Sequence, residues 1–305
     1  MMKNSTKLFL GILAGLIVFG GLISFLFYFA LFSVPDEDSD VIVGSGKKIA
    51  LIELKGVIFS SEELVKQFKK YREDRSIKGI LFRVDSPGGG VVASQEVYQE
   101  VKKTREYGKP IVVSMGSMAA SGGYYVSCPA NKIVANPGTL TGSIGVISQF
   151  TRLDPLLDKI GVDVNVIKSG KFKDAGSPFR EMTPADRSYF QNLMDEVHRQ
   201  FITAVETERK LSRDSVIAFS DGRVFTGEQA VKIGLADTLG TFQDAVMLTA
   251  LLAGIDGEPS IVKQRKRGLS ILDRLLGMAE LRKYLGLDKE LLDQPILQYK
   301  MLPSF

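Results

Sequence analysis

The sequence predicts an α/β domain with a largely parallel sheet, preceded by one N-terminal transmembrane helix. Two patterns carry this prediction. An uncharged apolar run lies near the N-terminus, and from residue 47 short apolar runs alternate with amphipathic helical patterns. With 305 residues, of which 45% are hydrophobic and 24% charged, the chain is also long and apolar enough to bury a sizeable core.

The N-terminal apolar run extends from Leu8 to Val34 without a charged residue. At about 1.5 Å per residue, a helix of this length reaches roughly 40 Å, which exceeds the ~30 Å hydrocarbon core of a membrane. A cleaved signal peptide is the alternative, but its apolar region spans only about 7–15 residues and ends at a small-residue cleavage site. No convincing Ala-x-Ala motif follows this run, so we expect a retained anchor at residues 8–34.

Charges on the two sides of the run predict its orientation. Lys3 and Lys7 precede it, whereas Asp36, Glu37 and Asp38 follow it, so the positive-inside tendency places residues 1–7 in the cytoplasm. We expect the polar residues 35–46 to form a linker, with all later residues on the outer side of the membrane.

A folded body is expected over residues 47–257. Its apolar runs predict strands at Lys48–Ile58, Lys78–Asp85, Pro110–Met115, Lys132–Ala135 and Asp163–Ile167. Its amphipathic patterns predict helices at residues 60–73, Ala93–Glu106, Ala119–Ser127, Pro155–Lys159 and Pro184–Lys210. On the last helix, an apolar stripe from Phe190 to Val205 is expected to pack mostly in the core.

The remaining segment, residues 258–305, has a different pattern. It contains a basic run, Lys263–Arg267, followed by an amphipathic pattern of leucines at Leu269–Leu276. One interpretation is a peripheral helix or subunit contact with a solvated basic face. The other is a tail that binds a membrane surface or imitates a substrate, since basic amphipathic helices favour anionic interfaces.

Composition excludes several functions. The net charge of +4 is small and its charges are scattered, so no basic stripe indicates nucleic-acid binding. Cys128 is the only cysteine, which rules out an internal disulfide and any zinc site with two or more cysteine ligands. His198 is the only histidine, which leaves little material for a zinc site and only one candidate for an imidazole base.

A segment of small residues, Gly116–Gly123, is the candidate for chemistry. Ser121 would lie near a helix N-terminus, where free N–H groups and the helix dipole stabilise negative charge. The amide of Gly122 and one amide from the Gly88-Gly89 turn could form an oxyanion hole. Such a segment is, however, more often a packed helix start.

The base for this serine is open at this point. His198 lies in the middle of a helix in a solvated register, so a lysine is the better candidate. A lysine must be neutral to accept a proton, which requires its pKa to fall from about 10.4 to roughly 7–8. Many lysines are present, and periodicity selects none of them.

Taken together, the motifs resemble those of bacterial signal peptide peptidases of the SppA, or protease IV, type. The resemblance covers about residues 47–250. Besides the apolar anchor, it rests on Asp85–Gly90, Gly116–Tyr125, Thr141–Gly145, Lys168–Thr183 and Gly222–Gly240. The resemblance implies the fold of Clp proteases and crotonases, with stacked β-β-α units.

It also implies roles for individual residues. Ser121 matches the nucleophile and Lys173 the general base, with Lys171 as the less suitable alternative. Ser143 matches a hydroxyl that orients the lysine, and Gly89 and Gly122 match the oxyanion donors. Asp174 follows Lys173 directly and would keep it charged on contact, so we expect the Asp174 side chain to point elsewhere.

The implied activity is hydrolysis, through an acyl-enzyme, of signal peptides and other apolar peptides left in the membrane. The implied location is the bacterial inner membrane, with a periplasmic or other extracytoplasmic catalytic domain. Double-length members of the family split serine and lysine between two halves, so a single-length chain would form a homo-oligomeric ring. The rival functions are a crotonase-like acyl-CoA enzyme and a non-catalytic scaffold with the same fold.

Overall fold

The computed structural model describes residues 13, 15, 16, 18–25, 40–264 and 298–300, except the side chains of residues 40 and 41. The described residues between 13 and 25 are helical and exposed. Within the described ranges, none of the helices combines the length and hydropathy needed to cross a membrane. The predicted anchor and linker lie largely outside the described residues, as do residues 265–297 of the C-terminal segment.

The described strands form one large, mostly parallel sheet and one small antiparallel pair. They are β1 (Asp40–Val43), β2 (Lys48–Lys55), β3 (Ile77–Ser86), β4 (Gly88–Gly90), β5 (Ile111–Ala120), β6 (Lys132–Ala135), β7 (Leu140–Gly142), β8 (Val224–Thr226), β9 (Thr238–Leu239), β10 (Ser260–Gln264) and β11 (Gln298–Lys300). The large sheet has the order β1-β10-β2-β3-β5-β6-β9, with β7 beside β5 and β8 beside β7. In it, β8 pairs antiparallel with β7, and the strands from β10 to β9 pair in parallel. The separate pair is β4 with β11.

Helices cover both faces of this sheet. They are α1 (Glu62–Glu73), α2 (Val91–Glu106), α3 (Gly122–Ser127), α4 (Asp154–Ile160), α5 (Pro184–Arg209), α6 (Arg213–Phe219), α7 (Gly227–Lys232) and α8 (Phe242–Leu252). Neighbouring residues of a strand enter opposite cores: Phe82 packs in the larger cluster with α1, α2 and α3, and Leu81 packs in the smaller cluster with α8. This double coverage explains why the central strands are apolar without alternation, and it confirms the predicted α/β class.

Several predicted elements need correction. Asp163–Ile167 was predicted as a strand because of its apolar alternation, but it forms none, and Ile167 is fully exposed. Ala119 and Ala120 belong to β5 rather than to the following helix, which begins at Gly122. On α5, the apolar stripe was expected to pack mostly in the core. Only its second half is buried, and residues of the first half, such as Leu193, are exposed.

The carboxyl ends of three neighbouring strands meet in one place. β3 ends at Ser86, β5 ends at Ala120 and β7 ends at Gly142, and parallel pairing joins β5 to both of the others. In open parallel sheets, ligands commonly bind outside the carboxyl ends of the strands. This edge of the sheet therefore positions the candidate site. On the opposite side of the sheet, β10 pairs in parallel with β2. The sheet therefore includes the first residues of the segment that was expected to be separate from the folded body, residues 258–305.

Candidate active site

Ser121 lies at a sharp turn between β5 and α3. It is only 1% exposed and adopts a φ of 54° and a ψ of −117°. Its amide donates to the Gly142 carbonyl at 2.8 Å, and its carbonyl accepts from the Tyr125 amide at 2.8 Å. Positive φ in a residue other than glycine costs about 1–3 kcal/mol and persists only where the surrounding structure enforces it. The fold thus holds Ser121 in a strained strand-to-helix turn, the backbone setting that the nucleophile has in α/β-hydrolases.

Ser143 lies beside Ser121 and shares its unusual backbone. Its φ is 50°, it is 8% exposed, and its amide donates to the Arg223 carbonyl at 2.8 Å. The strand register pairs Ala120 of β5 with Gly142 of β7. Ser121 and Ser143 directly follow these two partners, so they leave the sheet side by side. In the described chain the third such residue is Lys210, an ordinary left-handed helix cap. The structure therefore brings together two of the residues that the resemblance selects.

The backbones of Gly88 and Gly122 converge on the carbonyl oxygen of Tyr299. A Cβ on Gly88, where φ is 97°, would stand 1.9 Å from that oxygen and 2.6 Å from the Gly122 nitrogen. A Cβ on Gly122 would stand 3.0 Å from the same oxygen. Only residues without a side chain leave this space for a carbonyl group. The space has the form of an oxyanion hole next to Ser121.

Gly89 presents its amide to the same space. Ile58 occupies one edge of β4, because its amide donates to the Gly88 carbonyl at 2.9 Å and its carbonyl accepts from Gly90 at 2.8 Å. Since polar groups alternate along a strand, the N–H and C=O of Gly89 point to the opposite edge, where Tyr299 is its register partner. Gly89 and Gly122 were predicted to donate their amides to the oxyanion. The structure adds Gly88, whose lack of a side chain leaves the space that the Tyr299 carbonyl oxygen occupies.

The described end of the C-terminal segment occupies this groove as a strand. β11 pairs antiparallel with β4, and Gln298 exchanges two backbone hydrogen bonds of 3.0 and 3.2 Å with Ile147 on its other side. An extended segment between two strand edges is the arrangement by which proteins bind peptides through added strands. For residues 298–300, this favours the interpretation as a substrate-like tail over a peripheral helix.

Lys173 is not joined to Ser121 by any hydrogen bond among the described residues. It lies exposed in the turns after Gly170, and its amide donates to the Gly170 carbonyl at 3.1 Å. The Asp174 carboxylate pairs with Lys168 at 2.6 Å and Arg180 at 2.9 Å. Hydrogen bonds from Arg180 and Lys168 hold the pKa of Asp174 well below its ordinary value. The expectation that Asp174 points away from Lys173 is confirmed.

Other candidate groups are unsuited to catalysis. Burial raises the pKa of Cys128 to about 12, and its thiol donates to the Tyr124 carbonyl at 3.2 Å, so it is a poor nucleophile. His198 was predicted in a solvated register, but it is half-buried within α5, and its Nε2 is buried without a hydrogen-bond partner among the described residues. The described residues contain no group of three or more histidine, cysteine, aspartate or glutamate side chains placed to bind a metal ion.

Comparison with known proteins agrees with this geometry. Residues 103–256 match peptidase family S49. A putative protease of Synechocystis sp. is 40% identical over 83% of this chain and 96% of its own length. Protease 4 of Salmonella typhi is 39% identical over 68% of this chain and 35% of its own length. A putative signal peptide peptidase SppA of Enterococcus faecium is 37% identical, over 66% of this chain and 62% of its own length.

The S49 match and the protease relatives show that the chain is a serine peptidase. The strained Ser121 beside the glycine cradle is its candidate active site. The chain belongs to peptidase family S49, and its parallel-dominant α/β structure fits the Clp protease-like fold of that family. It spans nearly all of the Synechocystis protein but only about a third of Protease 4. The roles of Ser121, Ser143, Lys173, Gly89 and Gly122 remain predictions.

Proposed function

We propose that this serine peptidase is a membrane-anchored endopeptidase that degrades signal peptides after their release from preproteins. The observation that carries the proposal is the Tyr299 carbonyl, which lies against Gly88 and Gly122 as a substrate carbonyl would. The apolar run of residues 8–34 supports attachment to the inner membrane with the catalytic domain on the outer side. The apolar character of signal peptides suits a groove that binds extended backbone.

The proposed mechanism uses no metal or cofactor. Lys173 takes the proton of Ser121 Oγ, and the oxygen attacks a peptide carbonyl whose negative charge is stabilised by the amides of Gly89 and Gly122. The C–N bond then breaks, the leaving amine takes the proton, and the acyl group remains on Ser121 as an ester. Water hydrolyses this ester, while Ser143 orients the lysine amine. Each oxyanion donor is worth about 3–4 kcal/mol in comparable enzymes.

The base is proposed to act between neighbouring copies of the chain. Within one chain Lys173 is exposed and makes no side-chain hydrogen bond or ion pair with a described residue, while Ser121 is buried at the sheet edge. Burial against a second copy would supply the desolvation that lowers the pKa of a lysine. A homo-oligomeric ring in which each site draws on two chains accounts for both properties.

The experiment is hydrolysis of an apolar, internally quenched peptide by the full chain in detergent micelles. We expect Ser121→Ala and Lys173→Ala each to lose at least about a thousandfold in kcat/KM, whereas Lys171→Ala, a matched exposed lysine, stays within a factor of three. Mixing the two inactive variants should restore part of the activity, because mixed rings contain intact sites. Undiminished cleavage by Ser121→Ala would remove the basis of the proposal, and absence of recovery in the mixture would refute shared sites.

A further inference from the structure

Arg180 bridges two carboxylates in the part of the chain that carries Lys173. Its Nε and Nη2 donate to the two carboxylate oxygens of Asp174, each at 2.9 Å, and its Nη1 donates to Asp186 Oδ2 at 2.6 Å. A planar guanidinium that meets a carboxylate through two parallel hydrogen bonds fixes direction as well as distance. Arg180 therefore holds Asp174 in one orientation relative to Asp186.

Asp186 is a fixed point for this bridge. It lies in the first turn of α5 and is only 2% exposed. Its carboxylate accepts from the amide and the hydroxyl of Thr183 at 3.0 and 2.8 Å, and its own amide donates to Thr183 Oγ1 at 3.1 Å. Such a reciprocal capping box satisfies N–H groups that a helix start leaves free. The bridge thus joins Asp174 to a well-determined helix start.

Both residues that flank Lys173 are tied to α5. On one side, the ring of Phe172 stacks on that of Tyr189, with the ring centroids 5.1 Å apart. On the other side, Asp174 is tied through Arg180. Between them, the Lys173 side chain makes no hydrogen bond or ion pair with a residue that the structure describes. The backbone is therefore held on both sides of a lysine whose amine is left available.

The acidic residues between positions 168 and 186 are Asp174, Glu181 and Asp186, and each has a basic partner. Glu181 pairs with Arg152 at 3.5 Å, and the other two share Arg180. The further charged side chains around this segment are Lys168, which also pairs with Asp174, Lys171, which lies over the Phe172 ring, and Asp154 of α4, which pairs with Arg152.

This pairing keeps the neighbouring carboxylate away from the candidate base. Hydrogen bonds from Arg180 hold the pKa of both Asp174 and Asp186 well below the ordinary value, so both groups stay ionised. Without Arg180, the ionised Asp174 would be released next to Lys173. An ion pair between them would favour the protonated lysine, which cannot accept the proton of a serine.

We infer that Arg180 is a positioning residue for the base, because its bridge from Asp186 to Asp174 holds the backbone that carries Lys173 and keeps Asp174 from pairing with that lysine. The inference rests on the proposed function, in which Lys173 is the base, and adds the residue that presents it. A fixed backbone matters most in a shared site, where the amine must reach the serine of a neighbouring copy of the chain.

The test compares Arg180→Gln and Arg180→Lys in hydrolysis of an apolar, internally quenched peptide by the full chain in detergent. Arg180→Gln should lower kcat about ten- to a hundredfold, the effect of a misplaced catalytic group, with KM within about threefold. The pKa that limits kcat/KM on the acidic side should rise by about one unit or more. Arg180→Lys keeps the charge but not the fork, so it should restore this pKa and only part of kcat.

A double variant separates placement from charge. In Arg180→Gln/Asp174→Asn no carboxylate is released beside the lysine, so the limiting pKa should return to that of the wild type while kcat stays low. The matched control is Arg213→Gln, which breaks an ion pair with Glu206 of 2.8 Å towards the other end of α5. It should change neither quantity, and thermal melting should show that all variants fold.

The outcomes distinguish this inference from the proposed function. If Lys173→Ala is inactive but folded Arg180→Gln keeps the wild-type kcat and pH profile, Arg180 does not position the base and the function stands. A lower kcat with an unchanged pKa would indicate a merely structural role and would also overturn the inference. Should Arg180→Gln not fold, wild-type kcat in both Arg180→Lys and Asp174→Asn would overturn it. If Lys173→Ala keeps full activity, both proposals fall.

Discussion

Replacing Gly88 with alanine would place a methyl group inside the candidate oxyanion hole. The new Cβ would stand 1.9 Å from the carbonyl oxygen that occupies the hole and 2.6 Å from the Gly122 nitrogen. Both distances are far below ordinary contact, and both partners are backbone atoms that cannot rotate away. The substrate carbonyl must therefore shift out of reach of at least one donor.

The expected size of the effect follows from two separate costs. Loss of one oxyanion donor lowers kcat by about 10²–10³. Independently, an alanine with φ near 97° costs about 1–3 kcal/mol of stability. Gly56→Ala isolates the second cost, because Gly56 also has a positive φ, 75°, but a Cβ there would meet nothing within 4 Å.

We therefore expect Gly88→Ala to lose at least about a hundredfold in kcat/KM, whereas Gly56→Ala stays within about threefold. Peptide hydrolysis by the full chain measures activity, and circular dichroism with thermal melting confirms that both variants fold. If folded Gly88→Ala were as active as Gly56→Ala, the cradle of Gly88 and Gly122 would not be the oxyanion hole.

Three further perturbations have defined outcomes. Deleting residues 298–305 should raise kcat/KM for peptides several-fold, because β11 occupies the edge of β4 that a substrate needs; unchanged kinetics would contradict this. Burial raises the pKa of Glu208, but hydrogen bonds from Arg105 and Tyr98 hold it below its ordinary value. Its stabilising effect should be present above the unfolded pKa of 4.5 and fall as the pH drops through the lower folded pKa. Chemical denaturation should therefore show that the stability lost in Glu208→Gln at pH 7 becomes smaller as the pH falls below 4.5. Cys128 should resist iodoacetamide at pH 8 until the chain is unfolded, and rapid labelling of the native chain would refute its burial.

Local patterns in the sequence predicted the central strands β2, β3, β5 and β6, but neither the other described strands of the large sheet nor the full composition of the site. The apolar runs at β2, β3 and β5 are fixed by burial on both faces, so their location was readable. The alternating pattern at Asp163–Ile167 gave a wrong strand prediction, because periodicity does not reveal whether a pairing partner is present. The space that Gly88 provides depends on a strand that follows it by more than 200 residues, and no local pattern encodes such a contact.

The candidate catalytic residues also differ in how far the sequence predicted their positions. Ser121 and Gly122 are neighbours in sequence, and strand pairing brings Ser143 to them, so their proximity follows from the fold. Lys173 lies in an exposed stretch of turns, and only the family resemblance selected it. Phe201 lies on the apolar stripe of α5 that was predicted to pack mostly in the core, and it is fully buried there.

The strand edge formed by Gly88–Gly90 offers only main-chain groups to a bound peptide. Binding at this edge therefore depends on the backbone conformation of the peptide. A segment can be held there only when its own N–H and C=O groups are free, and in a transmembrane helix all of them are used internally. Under the proposed function, intact membrane helices and folded domains would therefore resist hydrolysis until a peptide unwinds at the membrane surface. For the proposed membrane substrates, the cost of unwinding would therefore contribute to which peptides are hydrolysed and which survive.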